Sequence, residues 1–141
     1  MSFLLDTVTL SEARRAKLAN PSVMAWLDLH PEPLLFISAL SLGEIERGCA
    51  RVEDETQRRF LMDWADTVRE RFAGRILPFD AEVAEHWGRM FGELERLGRR
   101  PPLIDSLIAA TALVHGLTVV TRNVRDFEQC GTPTENPWSP A

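Results

Sequence analysis

The chain is nearly without lysine: Lys17 is the only one among sixteen basic residues. Positive charge is carried by arginine, often in pairs, at Arg14 and Arg15, Arg58 and Arg59, Arg99 and Arg100, and Arg122 and Arg125. The planar guanidinium fork suits phosphate, although each pair taken alone reads first as a solvated helix face. Acids outnumber bases by 21 to 16, and the net charge of -5 excludes a general polyanion binder. Cysteine is scarce as well. Cys49 and Cys130 stand far apart, form no metal motif and read as two reduced thiols. No apolar run approaches the roughly 20 residues of a membrane span. Met1 to Asp6 lacks a basic stretch and meets an acid after three apolar residues, which excludes a signal peptide. A cytoplasmic location is the resulting expectation. There is no glycine-rich phosphate loop and no serine or cysteine nucleophile motif. His30, His86 and His115 lack metal-ligand spacing, and His115 beside Gly116 reads as a cation at a helix C-terminus.

What is present suffices for a domain with a core: 141 residues, 45% of them hydrophobic. Phe3-Leu4-Leu5, Leu34 to Ser38 and Leu117 to Thr121 are apolar without alternation, as buried strands are, and Arg75 to Phe79 is a shorter strand ended by proline. Asn20-Pro21 predicts a cap and a first helical position. The spacing Ser41 to Glu44 predicts a helix opened by a capping box. Phe60, Leu61, Trp64, Ala65, Val68 and Phe72 recur at helical spacing, as do Val83, Trp87, Met90, Phe91, Leu94 and Leu97, and both sets are expected to face inward. Ser106 to His115 is apolar nearly all round and is closed by Gly116. Strands and helices in this order predict an α/β fold: a parallel sheet of four to five strands with helices on both faces, a three-layer α/β/α sandwich. The domain is expected to span 1–130, with 131–141 an irregular tail pinned by Trp138.

In such sheets ligands gather at the carboxyl ends of the strands. Four acids are expected there. Asp6 follows the first strand, Glu44 lies in the first turn of the helix after the second, Asp105 opens the apolar helix, and Asp126 follows the third long strand. Thr7, Ser38, Thr121 and Asn123 add neutral oxygens. Each acid has a structural use as a turn, a capping-box partner or a helix cap. Together they would repel one another unless a divalent cation neutralises them. An all-oxygen set favours Mg²⁺ or Mn²⁺ over zinc, and such ions hold phosphodiesters and activate water.

The segments Phe3 to Thr7 with Leu10-Ser11-Glu12, Ile37-Ser38 to Gly43-Glu44, Ile76 to Asp80, and above all Asp105 to Ala112 running through Val120 to Phe127, occur in one order over residues 2 to about 128. On them the chain resembles the PIN-domain ribonucleases, specifically VapC-type toxins of type II toxin–antitoxin pairs. The resemblance implies a PIN-like sandwich and an Mg²⁺- or Mn²⁺-dependent endoribonuclease. Asp6, Glu44, Asp105 and Asp126 would be the catalytic and metal-binding acids, with Thr7, Thr121 and Asn123 in support. It also implies a homodimer and a cognate antitoxin protein that silences it. Arg122 and Arg125 are expected to meet the RNA backbone. One position departs from the family pattern: Val8 stands where members commonly carry asparagine. Two other readings remain open at this point: a PIN-fold binding module with weak or no catalysis, and a metal-dependent phosphodiesterase or nuclease acting on another substrate.

Overall fold

Three apolar tripeptide-like runs become three neighbouring strands in the computed structural model, which describes residues 1–139. β1 (Phe3–Leu5) is central, flanked by β2 (Leu35–Ser38) and β4 (Thr118–Val120). β3 (Ile76–Leu77) and β5 (Thr134–Glu135) complete the edges, giving the order β3-β2-β1-β4-β5 with every pairing parallel. Leu5 is in register with Ile37 on one side and with Val120 on the other. Asp6 and Thr121, which follow β1 and β4, and Ser38, which ends β2, therefore emerge at one edge.

Seven helices cover the sheet: α1 (Thr7–Glu12), α2 (Pro21–Leu29), α3 (Ala39–Arg51), α4 (Glu55–Arg71), α5 (Ala81–Arg96), α6 (Leu103–His115) and α7 (Val124–Glu128). Alternation along β1 divides the core in two. Phe3 and Leu5 pack with Leu10, Trp26, Ile45, Ala65 and Val68 from α1 to α4. Leu4 faces the other way, onto Leu94, Ile108, Ala109, Ala112 and Phe127 from α5 to α7. This is the three-layer sandwich expected, with both faces of the sheet dry. Each fully buried leucine or isoleucine contributes about 1.5–3 kcal/mol of transfer free energy.

Local chemistry sets the helix ends. Asn20 Oδ1 accepts from the Ser22 and Val23 amides, and Pro21 occupies the first turn. Asp54 and Asp80 cap α4 and α5 by accepting from the Gln57 and Val83 amides. Between α1 and α2 the chain passes through a 3₁₀ segment, Ala13–Leu18, kinked at Ala16 with φ 54. Cys49 and Cys130 are buried and unbridged, as expected.

Several expectations fail for identifiable reasons. Ser38, not Ser41, caps α3, accepting from the Leu40 amide; the helix starts three residues early, so Ser41 and Glu44 form no capping box. Asp105 caps nothing: α6 begins at Leu103 after Pro102 and places Asp105 inside its first turn. Phe60 and Leu97 were expected inward but are 62% and 57% exposed, because helical spacing does not show how wide a stripe the neighbouring layer covers. The segment expected as an irregular tail contains β5, which takes hydrogen bonds into the sheet edge: the Val119 amide donates to Pro133 O and the Thr121 amide to Glu135 O. A two-residue strand in a proline-rich stretch has no length over which to show a period. Trp26 Nε1 also donates to Glu135 Oε1 at 2.9 Å, tying β5 to α2. Pro140 and Ala141, the end of that expected tail, lie outside the described residues.

Gly116 ends α6 with φ 66 and lets the Leu117 amide reach back to Ala112 O at 2.9 Å, turning the chain from Asp105's helix into β4. A Cβ there meets no neighbour, so only the backbone is strained. Gly116→Ala should lower the unfolding free energy by about 1–2 kcal/mol in urea melts, with an unchanged denaturant slope. A fully stable variant would contradict the left-handed assignment.

Candidate active site

Asp6 is the most enclosed of the four acids, 2% exposed. Its Oδ1 accepts from the Thr9 amide at 2.9 Å and its Oδ2 from Thr121 Oγ1 at 2.6 Å. Thr121 comes from the end of β4, and its hydroxyl also accepts from the Asn123 amide at 2.9 Å. Thr9 Oγ1 donates to Val120 O at 2.9 Å. The carboxylate is thus clamped between β1 and β4. Burial raises its pKa, and the Thr121 and Thr9 hydrogen bonds oppose that rise.

Glu44 lies in the second turn of α3 rather than the first, half-buried. Its Oε1 accepts from Thr7 Oγ1 at 2.5 Å, and Thr7 Oγ1 lies 2.8 Å from Ser41 Oγ. Asp126 is the third residue of α7, half-buried, with its amide donating to Asn123 O at 3.1 Å. Asn123 supports the site through its backbone; its side chain makes no cap bond. Ser38 serves α3 as its cap and does not join the acids.

Asp105 is half-buried and its carboxyl is pushed up to about 6, first by burial and then by the charges of Asp6, Asp126 and Glu44. Those three neighbours are the other members of the expected quartet. Residues 120 positions apart in sequence therefore share one electrostatic environment. A cleft of about 280 Å³ opens among Asp6, Thr7, Val8, Glu44 and Asp105, with Arg14 and Arg15 on its far wall; Asp126 is not on that wall. Val8 is 46% exposed at the rim.

No ion pair among the described residues engages any of the four acids. Arg15 is occupied by Glu12 at 2.9 Å. Arg122 and Arg125 are exposed, and the Arg122 guanidinium lies over the Trp138 ring at 5.5 Å, which gives Trp138 the anchoring contact expected of it. Among the described residues no three acids, histidines or cysteines converge on a single point as they stand. The acids are near enough to raise Asp105, yet they are not gathered.

The donor set nevertheless fits a hard divalent cation. It is all oxygen, it is unneutralised, and neither the Asp105 nor the Asp126 carboxylate gives up a protein hydrogen bond by turning inward. Asp6, already oriented by two donors, would be the fixed ligand.

Sequence reasoning missed two members of this neighbourhood. Cys130 is buried beside the acids. Its thiol lies 3.5 Å from Asp126 O and is pushed up to about 11 by burial and by Asp105 and Asp126, so it stays a neutral thiol. Arg14 was counted with the solvated pairs, and no local pattern distinguishes it from Arg15.

Comparison with known proteins agrees with this geometry. The PIN domain description matches residues 3–131. The VapC ribonuclease Y4jK of Sinorhizobium fredii is 32% identical over 139 residues, covering 98% of this chain and 99% of the relative. The toxin FitB of Neisseria gonorrhoeae is 35% identical over 136 residues, covering 96% and 97%. The solved structure of FitAB bound to the IR36 DNA fragment superposes with a TM-score of 0.90 at 33% identity, over 99% of this chain and 97% of that one. With the family model matched over residues 3–131 and relatives more than 30% identical over nearly their whole length, the chain belongs to the PIN-domain family.

Proposed function

We propose that the chain is an Mg²⁺- or Mn²⁺-dependent endoribonuclease, the toxin half of a toxin–antitoxin pair. The observation that carries this reading is the set of four carboxylates at the carboxyl edge of the sheet, none of them held in an ion pair among the described residues, with Asp6, Asp126 and Glu44 all acting on Asp105. Support comes also from the full-length similarity to a ribonuclease and to a toxin, the latter seen in a complex. A bound ion would supply Lewis acidity to the scissile phosphate and a more acidic water.

The residues divide the remaining work. Asp6 would hold the ion in a position fixed by Thr9 and Thr121. Asp105 and Asp126 would approach it from α6 and α7. Glu44, held by Thr7, would bind directly or accept a proton from the attacking water. Arg122, on the exposed turn after Thr121, and Arg125, in the first turn of α7, would meet the RNA backbone. A cytoplasmic setting, a homodimer and a cognate antitoxin belong to the same proposal. Among the described residues no helix is long and apolar enough to cross a membrane.

Asp105→Asn should abolish Mn²⁺-dependent RNA cleavage and toxicity on expression; retention of both would defeat the reading. Thr121→Val removes the donor on Asp6 Oδ2 and should weaken Mn²⁺ binding by about 10–100-fold in calorimetry. The Asp105 carboxyl, ordinarily near 3.8, takes its proton more readily in the folded state, at about 6. Its contribution in metal-free protein is therefore fully present below the ordinary carboxylate range and lost as pH rises through about 6. Melting of chelator-treated protein should show Asp105→Asn gaining most over wild type at pH 7 and little at pH 4; a pH-independent difference would refute that account. Val8→Asn adds an amide at the rim and should raise cleavage; equal rates would make the departure inconsequential.

A further inference from the structure

The acid cleft does not end at the acids. A second cavity of about 350 Å³ adjoins it, sharing Thr7, Ser11, Arg14 and Glu44 and extending over Gln57 and Trp64. Arg14 is the cation where the two meet. Its guanidinium carbon lies 5.4 Å from the Trp64 ring centroid. Its Nε is closed off from solvent and has no hydrogen-bond partner. It enters no ion pair among the described residues, although Glu44 lines the same walls, whereas its neighbour Arg15 is satisfied by Glu12.

A half-buried guanidinium with a free buried N–H is anomalous, since buried donors are nearly always paired. Trp64 lies under the guanidinium, and no hydrogen bond or ion pair among the described residues engages its terminal nitrogens. Those nitrogens, not the enclosed Nε, are what an anion spanning both cavities can meet. A phosphodiester chain meets that requirement: one phosphate at the acids, a neighbouring phosphate on the Arg14 fork, and the nucleoside between them in the second cavity, where Gln57 offers an amide and Trp64 an aromatic face. We infer that Arg14 is a substrate-binding residue which grips an RNA phosphate next to the scissile one, and that the cavity over Gln57 and Trp64 is the adjoining nucleotide subsite. This rests on the ribonuclease reading and deepens it by giving the RNA a direction out of the acid cleft, toward α4.

The test uses Mn²⁺-loaded protein and a random-sequence single-stranded RNA pool. Arg14→Gln should raise KM about tenfold with kcat unchanged, and should reduce the slope of log KM against log salt by about one. Arg14→Lys should restore the salt slope but not the full affinity, because it keeps charge and loses the fork. Calorimetric Mn²⁺ affinity should be the same in all three proteins. If Arg14→Gln matches wild type in KM and salt slope, or if it lowers kcat with KM unchanged, the assignment is overturned while the ribonuclease reading stands. If Arg14→Gln does not fold, Arg14→Lys decides alone: full wild-type affinity overturns the assignment. If wild type itself leaves RNA intact with Mg²⁺ and with Mn²⁺, both fall together.

Discussion

Electrostatic repulsion among Asp6, Glu44, Asp105 and Asp126 is the constraint around which this structure is arranged. Burial of Asp105 and, after it, the charges of Asp6, Asp126 and Glu44 oppose its ionisation in the folded state, and its rise to about 6 records both. The dry two-sided core supplies the opposing force. β1 is buried on both faces and paired on both edges, so Asp6 at its end has no room to withdraw. The middle of α6, from Ile108 to Ala112, is buried behind Asp105, which denies that residue the same escape. The acids therefore lower stability locally, which is the exchange the proposed function would require of them.

The four acids are not equally fixed. Asp6 has two donors, Glu44 has one, and the Asp105 and Asp126 carboxylates have none among the described residues. The site is thus rigid on the β1 side and adaptable on the α6 and α7 side. Under the proposed function, such a division would let one anchored oxygen set the position of an ion while the others adjusted their distance to it. Threonine does most of the anchoring: Thr7 and Thr121 hold Glu44 and Asp6 with short hydroxyls that cannot swing far from the backbone, and Thr9 holds Asp6 with its amide while its hydroxyl ties α1 to Val120 O.

Much of this was legible in the chain. Unalternating runs announced strands buried on both faces, and the rule that ligands meet strand ends then led to four acids far apart in sequence, of which Asp6, Glu44 and Asp126 do act on Asp105 without converging on one point. What stayed hidden depended on contacts with no local signature. β5 is two residues long and exists because β4 offers an open edge. Asp105 looked like a cap because a lone acid before an apolar run usually is one, while Pro102 had already started the helix. Phe60 and Leu97 fit the helical period and lie beyond the layer's rim. Arg14 and Arg15 are adjacent and chemically identical; only their neighbours, Trp64 and Glu12, tell them apart.

The hydroxyl bond from Thr121 to Asp6 joins residues 115 positions apart. Asp105 and Asp126 stand on either side of Thr121 in the chain. A cut anywhere between Asp6 and Asp105 therefore leaves two pieces, neither of which can build the centre alone: one keeps the first carboxylate without the β4 hydroxyl that orients it, the other keeps the hydroxyl without that carboxylate. The centre belongs to the closed fold and to no contiguous segment of it.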